Sequence, residues 1–273
     1  MNDFIFDPAR CTRCGACIVA CGRRALVDSG NGSPALPDAN YALCNACGHC
    51  SAVCPTSAVV SPKCGGERAE PLPPGLDVEY AAARKFILSC RSIRRFKEEP
   101  VDAPTVLDLL DTARRAPTAS NRQELHWLAL SGRDKAERFT ALTMQWFDTV
   151  LRNDPVMGPR YNVDSMMARY ESGDDPILRG APNAVFCLAD ASEGWGCVDA
   201  SIAATYFCLA AHGRGIGSCW CGFGVSALKS HAPLREFLGL RETDVVHAIV
   251  FFGYPAIRYI AYPPRKPLAI RWV

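Results

Sequence analysis

The sequence predicts a mixed helix-and-strand fold in two parts: a small cysteine-rich head over residues 1–61 and a larger domain over residues 79–273. Three observations predict it. Eight of the fifteen cysteines fall in two regular arrays that end at Cys54. Residues 61–75, SPKCGGERAEPLPPG, hold four prolines and three glycines and few apolar residues, the chemistry of a solvated, stiffened connection. We take residues 62–78 as the linker. Beyond it, helical and strand signals alternate, and 273 residues suffice for two modest domains.

Val59 and Val60 close the head as a short strand. Glu79–Cys90 (EYAAARKFILSC) is Ala-rich and amphipathic, which predicts a helix. Pro104–Arg115 follows, with Pro104 at a helix start and Val106, Leu107, Leu110 and Ala113 on one face. His126–Ser131 reads as a strand and Arg133–Arg152 as mostly helical. Residues 153–180, punctuated by prolines and glycines, read as a loop or broken helix. Ala184–Ala189 is an apolar run suited to a buried strand. Val198–His212 is a helix stopped by Gly213 and Gly215. Ser218–Gly222 and Val245–Phe252 are further strands, and the Pro- and Arg-rich tail from Ile257 to Val273 is extended. The cysteine array is the only internal duplication.

Charge narrows the function classes. Thirty Lys and Arg against 28 Asp and Glu leave a formal charge of +2, with no basic block, so nucleic acid is not an expected partner. The start, MNDFIFDPARC, lacks the basic and apolar runs of an export signal. The longest apolar strand candidate, Val245–Gly253, is far short of a membrane span. These readings predict a soluble cytoplasmic protein, where cysteine arrays mean metal rather than disulfides.

The first array is Cys11-x2-Cys14-x2-Cys17-x3-Cys21, and the second is Cys44-x2-Cys47-x2-Cys50-x3-Cys54-Pro55. A tight C-x2-C-x2-C loop can wrap three corners of an iron–sulfur cubane but cannot also reach the fourth. The fourth cysteine, expected at the start of a short helix, then serves the other cluster. Cys11, Cys14, Cys17 and Cys54 would hold one 4Fe-4S cluster, and Cys44, Cys47, Cys50 and Cys21 the second. Small residues between the ligands (Gly15, Ala16, Ala46, Gly48) let backbone N–H groups approach the sulfurs. Zinc sites use paired knuckles rather than triplets with a fourth cysteine, and overlapping cysteines three apart are poorly placed for disulfides. The array resembles bacterial two-cluster ferredoxins over roughly the first sixty residues. It departs from them at Gly22, where that family usually has proline, and in a longer stretch between arrays. Of the other seven cysteines, most read as small buried apolar residues, with Cys64 in the linker as an exposed thiol.

Three further segments carry chemistry. Arg91-Ser92-Ile93-Arg94-Arg95-Phe96 can grip a phosphate with planar donors, although alone it is an ordinary solvated basic run. Ala116–Gln123 (APTASNRQ) offers Asn and Gln amides suited to a flavin pyrimidine edge, although alone it is a Pro–Asn loop. Gly215–Phe223 (GIGSCWCGF) would let backbone approach a flat ring, although alone it is a buried strand. In this order the three, together with a C-terminal arginine matched by Arg265 and a helix over Trp195–Leu209 carrying Asp199, closely resemble the nitroreductase family across residues 80–273.

That resemblance implies an α+β fold, with a mostly antiparallel sheet surrounded by helices. It implies a homodimer with tails embracing the partner and FMN at the interface. Arg91, Ser92, Arg94 and Arg265 would hold the phosphate. Pro117, Thr118, Ala119, Asn121 and Gln123 would line the ring, and backbone near Trp220 and Gly222 would cover another edge.

The fusion of the two modules predicts electron relay from an external donor, through two clusters and FMN, to a small electrophilic acceptor such as a nitroaromatic or quinone. No catalytic acid side chain is expected, because the flavin carries the chemistry. The five histidines show no dyad: His49 sits inside an array, and His212 ends a helix whose dipole favours a cation. Two alternatives stay open, an electron-transfer module serving a protein partner and a redox sensor. The donor also stays open between NAD(P)H and a protein. An open pocket lined by the 140–180 segment would favour the small acceptor. Trp146, Phe147, Tyr161, Met166, Met167 and Tyr170 there read equally as a lid or as packing.

Overall fold

The structure, a computed structural model, describes residues 3–75 and 77–273; Met1 and Asn2 of the expected head and Leu76 of the expected linker lie outside the described residues. The chain divides into two compact units, one formed by residues up to Val78 with Thr118–Arg122, the other by Glu79–Pro117 with Gln123–Val273.

The first unit repeats one short theme twice. Its elements are β1 (Ile5–Phe6), α1 (Ala16–Val19), β2 (Val27–Asp28), β3 (Pro34–Ala35), α2 (Asp38–Tyr41), α3 (His49–Ala52) and β4 (Val59–Val60). β1 pairs antiparallel with β4, and β2 with β3. Backbone special to each cysteine loop recurs at matching positions. Arg13 and Ala46 (φ 59° and 55°), Gly15 and Gly48 (70° and 73°), and Arg24 and Ser57 (53° and 51°) are all left-handed. Each glycine turn starts a one-turn helix around the third cysteine, with Ile18 N bonding Gly15 O and Ser51 N bonding Gly48 O at 3.0 Å. This corrects one expectation: Cys21 and Cys54 do not start helices but follow α1 and α3, which have already ended at Val19 and Ala52. Residues 62–78 contain no helix or strand among those described. Lys63 Nζ donates to the Tyr41 and Cys44 carbonyls, and Cys64 is half-buried with its thiol toward the Ala46 carbonyl rather than exposed.

In the second unit, α4 (Tyr80–Ser89) leads to α5 (Ala103–Ala113), whose Asp102 cap accepts from Thr105 N at 2.8 Å. Its buried stripe is Val106, Leu109 and Ala113, and Leu107 is exposed: the i, i+3, i+7 spacing of a straight helix rotates Leu107 out. Next come β5 (His126–Ser131), α6 (Arg133–Trp146, continued by a wide turn over Phe147–Leu151), α7 (Met157–Tyr161) and α8 (Val163–Glu171), the broken helix expected of that stretch. β6 (Asn183–Asp190), α9 (Gly196–Gly213), β7 (Gly217–Trp220), α10 (Gly222–Ala227), α11 (Ala232–Phe237) and β8 (Asp244–Gly253) complete it. The sequence reading did not include α10 and α11, each of six residues, although Pro233 in the first turn of α11 is a helix-start signal.

The four strands form one antiparallel sheet in the order β5-β6-β8-β7. Alternation along β6 and β8 sends Phe186, Ile249 and Phe251 against α6, and Val185, Cys187, Val250 and Phe252 against α5 and α9. α9 buries Ala200, Ala203, Ala204 and Ala211, small side chains that let it lie close to the sheet. Burial pushes the thiols of Cys187 and Cys221 up to about 12 and Cys208 to about 11, so these are inert packing groups. Cys197 departs from the expected burial, since it lies exposed on the outer face of α9.

The start of β8 is anchored electrostatically. Asp244 accepts from Arg241 Nη2 at 2.6 Å, Arg241 Nε at 3.0 Å and the Arg241 backbone N–H at 2.9 Å; His126 Nε2 lies 3.3 Å away without a hydrogen bond. The Arg241 guanidinium holds the Asp244 carboxyl down to about 2. Its folded pKa lies below the ordinary value of about 4, so its stabilisation is full above that pH and is lost as pH falls towards 2. Asp244→Asn should lower thermal stability at pH 7, by about 1–2 kcal/mol for a lost charge-assisted network. Melts of both proteins across pH 7 to 2 should converge at the acid end; a constant gap would contradict this assignment.

Candidate functional site

Two cavities in the first unit sort the eight array cysteines into two sets of four. One is lined by Cys11, Cys14, Cys17 and Cys54 with Thr12 and Thr56. The other is lined by Cys21, Cys44, Cys47 and Cys50 with Leu26 and Leu36. Each fourth cysteine therefore faces the triplet of the other half. The sulfurs of both exchanged cysteines accept backbone N–H groups from four residues on, Ala25 to Cys21 at 3.2 Å and Ala58 to Cys54 at 3.1 Å. Arg13 N donates to Cys11 Sγ at 3.3 Å. The Ala16 N–H and the Thr12 hydroxyl lower the pKa of Cys14. For Cys54, burial acts to raise the pKa, but N–H groups of Thr56 and Ala58 outweigh it and the net shift is downward. Both shifts favour the thiolate, the ligand form. Cys17 and Cys50 shift upward through burial. Among the described residues no group of three or more His, Cys, Asp or Glu converges to hold a metal ion. Thiols spread around a cavity instead match a polynuclear cluster, whose ligands sit on separate irons.

Thr118–Arg122 belongs to this first unit. Its backbone is unusual: Ser120 and Asn121 are left-handed (φ 53° and 55°), as is Gln123 just beyond (54°). Non-glycine residues held there cost energy and cluster where a ligand or contact demands them. Asn121 Nδ2 donates to the carbonyls of Asn45 (3.2 Å) and Ala46 (2.9 Å), which lie between Cys44 and Cys47.

In the second unit, Arg91–Phe96 and Gly217–Trp220 are brought side by side. Ile93 N donates to Ser218 O at 2.9 Å, and Ser92 bridges Ser218 in parallel, so the basic segment runs along the β7 edge. Past it, Lys97 N bonds Tyr254 O at 2.8 Å and Ala256 N bonds Arg95 O at 3.0 Å. The fit is close: a Cβ on Gly217 would stand 2.7–2.9 Å from three Ile93 side-chain atoms. Two cavities flank this seam. One, of about 970 Å³, is lined by Arg91, Ile93, Gly217 and Ser218 together with Tyr259 and Tyr262 of the tail. The other, of about 550 Å³, is lined by Arg94, Trp220 and Gly222 with Trp146, Tyr161 and Arg179. Both have the size of small-molecule sites.

Residues 87–254 match the Nitroreductase family, and residues 4–27 match a 4Fe-4S binding domain. The chain belongs to the nitroreductase family. Among its relatives are a putative NADH dehydrogenase/NAD(P)H nitroreductase of Archaeoglobus fulgidus, 29% identical over 63% of this chain and 84% of that one, and a Thermus thermophilus NADH dehydrogenase, 27% identical over 67% and 89%. A Bacteroides fragilis nitroreductase solved with bound FMN is 22% identical, with TM-score 0.59, over 70% of this chain and 97% of that one. At that identity it shows the shared fold, the helix-flanked antiparallel sheet that the resemblance implies.

Not every expected residue of this nitroreductase converges on a cavity. Arg265 lies on the exposed tail and lines neither, and Pro117 is exposed at the end of the loop after α5. Of the large side chains singled out in the 140–180 segment, Tyr161 and the buried Trp146 line the smaller cavity, whereas Phe147 and Met166 are core. His212 is no helix-end cation: its Nε2 lies 2.8 Å from Ser89 Oγ, it packs on Phe86, and burial lowers its pKa. Arg179 escaped sequence reasoning. Its one signal is a lone charge inside the apolar run Ile177–Ala181. Asp175 orders that turn, accepting from the backbone N–H groups of Ile177, Leu178 and Gly180.

The Gly217–Ile93 contact is testable. Gly217→Ala should destabilise the fold by about 1–3 kcal/mol through overpacking. Ile93→Ala should relieve much of that loss in the double variant. Chemical denaturation of the four proteins measures the coupling; additive effects would exclude direct contact as the cause.

Proposed function

We propose that this nitroreductase passes electrons from an external donor to a small electrophilic acceptor, a nitroaromatic or quinone, with FMN and two 4Fe-4S clusters as its resident redox groups. The observation that carries the reading is the pair of cavities that divide eight cysteines into two crossed sets of four. Cys11, Cys14, Cys17 and Cys54 would hold one cluster and Cys44, Cys47, Cys50 and Cys21 the other, each group supplying single-electron exchange.

FMN, when bound, supplies the exchange between one-electron and two-electron chemistry that such an acceptor requires. Arg91, Ser92 and Arg94 would bind its phosphate with charge-assisted donors, joined by Arg265. Pro117, Thr118, Ala119, Asn121 and Gln123 would line the ring, with Trp220 and Gly222 at another edge. The seam between residues 92–93 and Ser218 supports a rigid mounting for these groups. The bond from Asn121 to the Ala46 carbonyl, inside the cysteine loop, supports a role of that segment beside a cluster.

A small acceptor is favoured over a purely protein-serving module by the smaller cavity, which Trp146 and Tyr161 of the 140–180 segment line together with Trp220. The donor is NAD(P)H or a reduced electron-transfer protein; NADH and NAD(P)H stand in the names of the relatives. The protein works as a homodimer. Exposed apolar groups on α4 (Ile87, 59% exposed) and on the tail (Ile260, 97%; Trp272, 86%) offer surface for a second copy. Among the described residues no helix is long and apolar enough to cross a membrane. We place the protein in the cytoplasm, where thiols stay reduced.

Two measurements test this reading. Cys54→Ser and Cys21→Ser should each lower bound iron, and electron paramagnetic resonance of the reduced proteins should lose a different signal in each. In anaerobic stopped-flow, a low-potential donor should reduce the flavin of either variant at least about tenfold more slowly, as expected when positioned redox chemistry is disrupted. Equal rates in wild type and in a variant lacking both clusters would rule the relay out.

A further inference from the structure

We propose that Arg179 and Arg94 form an anion-binding subsite in the cavity beside Trp220, taking one phosphate or carboxylate group between two guanidiniums. Both line that cavity. Arg94 leaves the seam along β7. Arg179 comes from a turn that Asp175 pins through three backbone N–H groups and that Thr140 Oγ1 braces at 3.0 Å from Asp175 Oδ1. The turn holds Arg179 at φ 59°, a left-handed conformation that a non-glycine residue adopts at a cost and that recurs at ligand clamps.

Arg179 stands near the carboxylates of Asp174 and Asp175, but both are engaged elsewhere. It is half-buried. Asp174 is paired with Arg169, and both oxygens of Asp175 are taken by the turn. Asp154, the one acid lining the cavity, accepts from the Val156 and Met157 N–H groups. Burial pushes the Arg179 pKa down, and the nearby Arg169 and, less strongly, Arg94 charges add to the effect against the opposing pull of Asp174 and Asp175. A half-buried guanidinium beside like charges gains most from an anion, and a planar fork suits phosphate and carboxylate alike. Trp146, Tyr161 and Trp220 give the same cavity aromatic walls. The chemistry required is an anion on a flat, conjugated body, either the FMN phosphate or the acid group of the acceptor.

The proposal rests in part on the flavoprotein reading, so the test separates the two. Wild type, Arg179→Gln and Arg179→Lys are compared for binding of FMN and riboflavin and for the KM ratio of 4-nitrobenzoate to nitrobenzene. If the anion is the flavin phosphate, Arg179→Gln weakens FMN at least about tenfold relative to riboflavin, the scale of one charge-assisted hydrogen bond. If it is the acceptor's acid group, the KM ratio rises by a similar factor and the FMN-to-riboflavin preference holds. Arg179→Lys, which keeps the charge, recovers part of either loss and controls for a fold defect. Unchanged preferences in both arms overturn the proposal. A wild type that takes up no flavin would refute the proposed function instead. Calorimetric binding of 4-nitrobenzoate to wild type but not to Arg179→Gln would then still support the subsite, and equal binding would end it.

Discussion

A tight C-x2-C-x2-C loop presents only three thiols, and the head completes each set of four with a cysteine from the other array. Left-handed residues at matching positions turn each C-x2-C-x2-C segment inward. Each array then sends its last cysteine to the triplet of the other half. The exchange makes the two halves interdependent, since neither set of four exists without both. The strand pairs are only two residues long, and the buried core of this unit sets Cys17 and Cys50 beside Ala25, Leu26, Leu36 and Val59.

The larger unit obeys a different constraint. Its two central strands are buried on both faces, so alternation assigns each side chain to one of two helical layers. With the layers filled, the β7 edge is where the chain can bring distant segments together. Residues 91–96, the glycine-rich strand and the segment after β8 meet there through backbone bonds. The absence of a side chain on Gly217 permits the approach of Ile93. Local backbone geometry is thus what holds these distant segments together at this edge.

Where sequence reasoning erred, three-dimensional context had overridden a local preference. A histidine in the last turn of a helix would be expected to carry charge, but packing on Phe86 strips His212 of solvent. Leu107 is as apolar as Leu109, yet only Leu109 lies on the stripe that meets the sheet side of α5. Cys64 sits in a glycine-rich stretch that reads as solvated, but the head shelters it. Arg179 was missed because a lone charge in an apolar run carries no spacing pattern; only the turn ordered by Asp175 places it where it lines two cavities.

The order of cysteines along the chain was enough to indicate two crossed sets of four, and the two cavities are lined by the same sets. The ordered arginine, amide and glycine segments were likewise enough to indicate the family, and hydrophobic periodicity located every strand of the large sheet to within a residue or two. Tertiary structure decided which of those segments share a cavity, which side chains of the 140–180 stretch line it, and where Arg179 stands. Those properties depend on contacts between residues far apart in the chain, which no local pattern encodes.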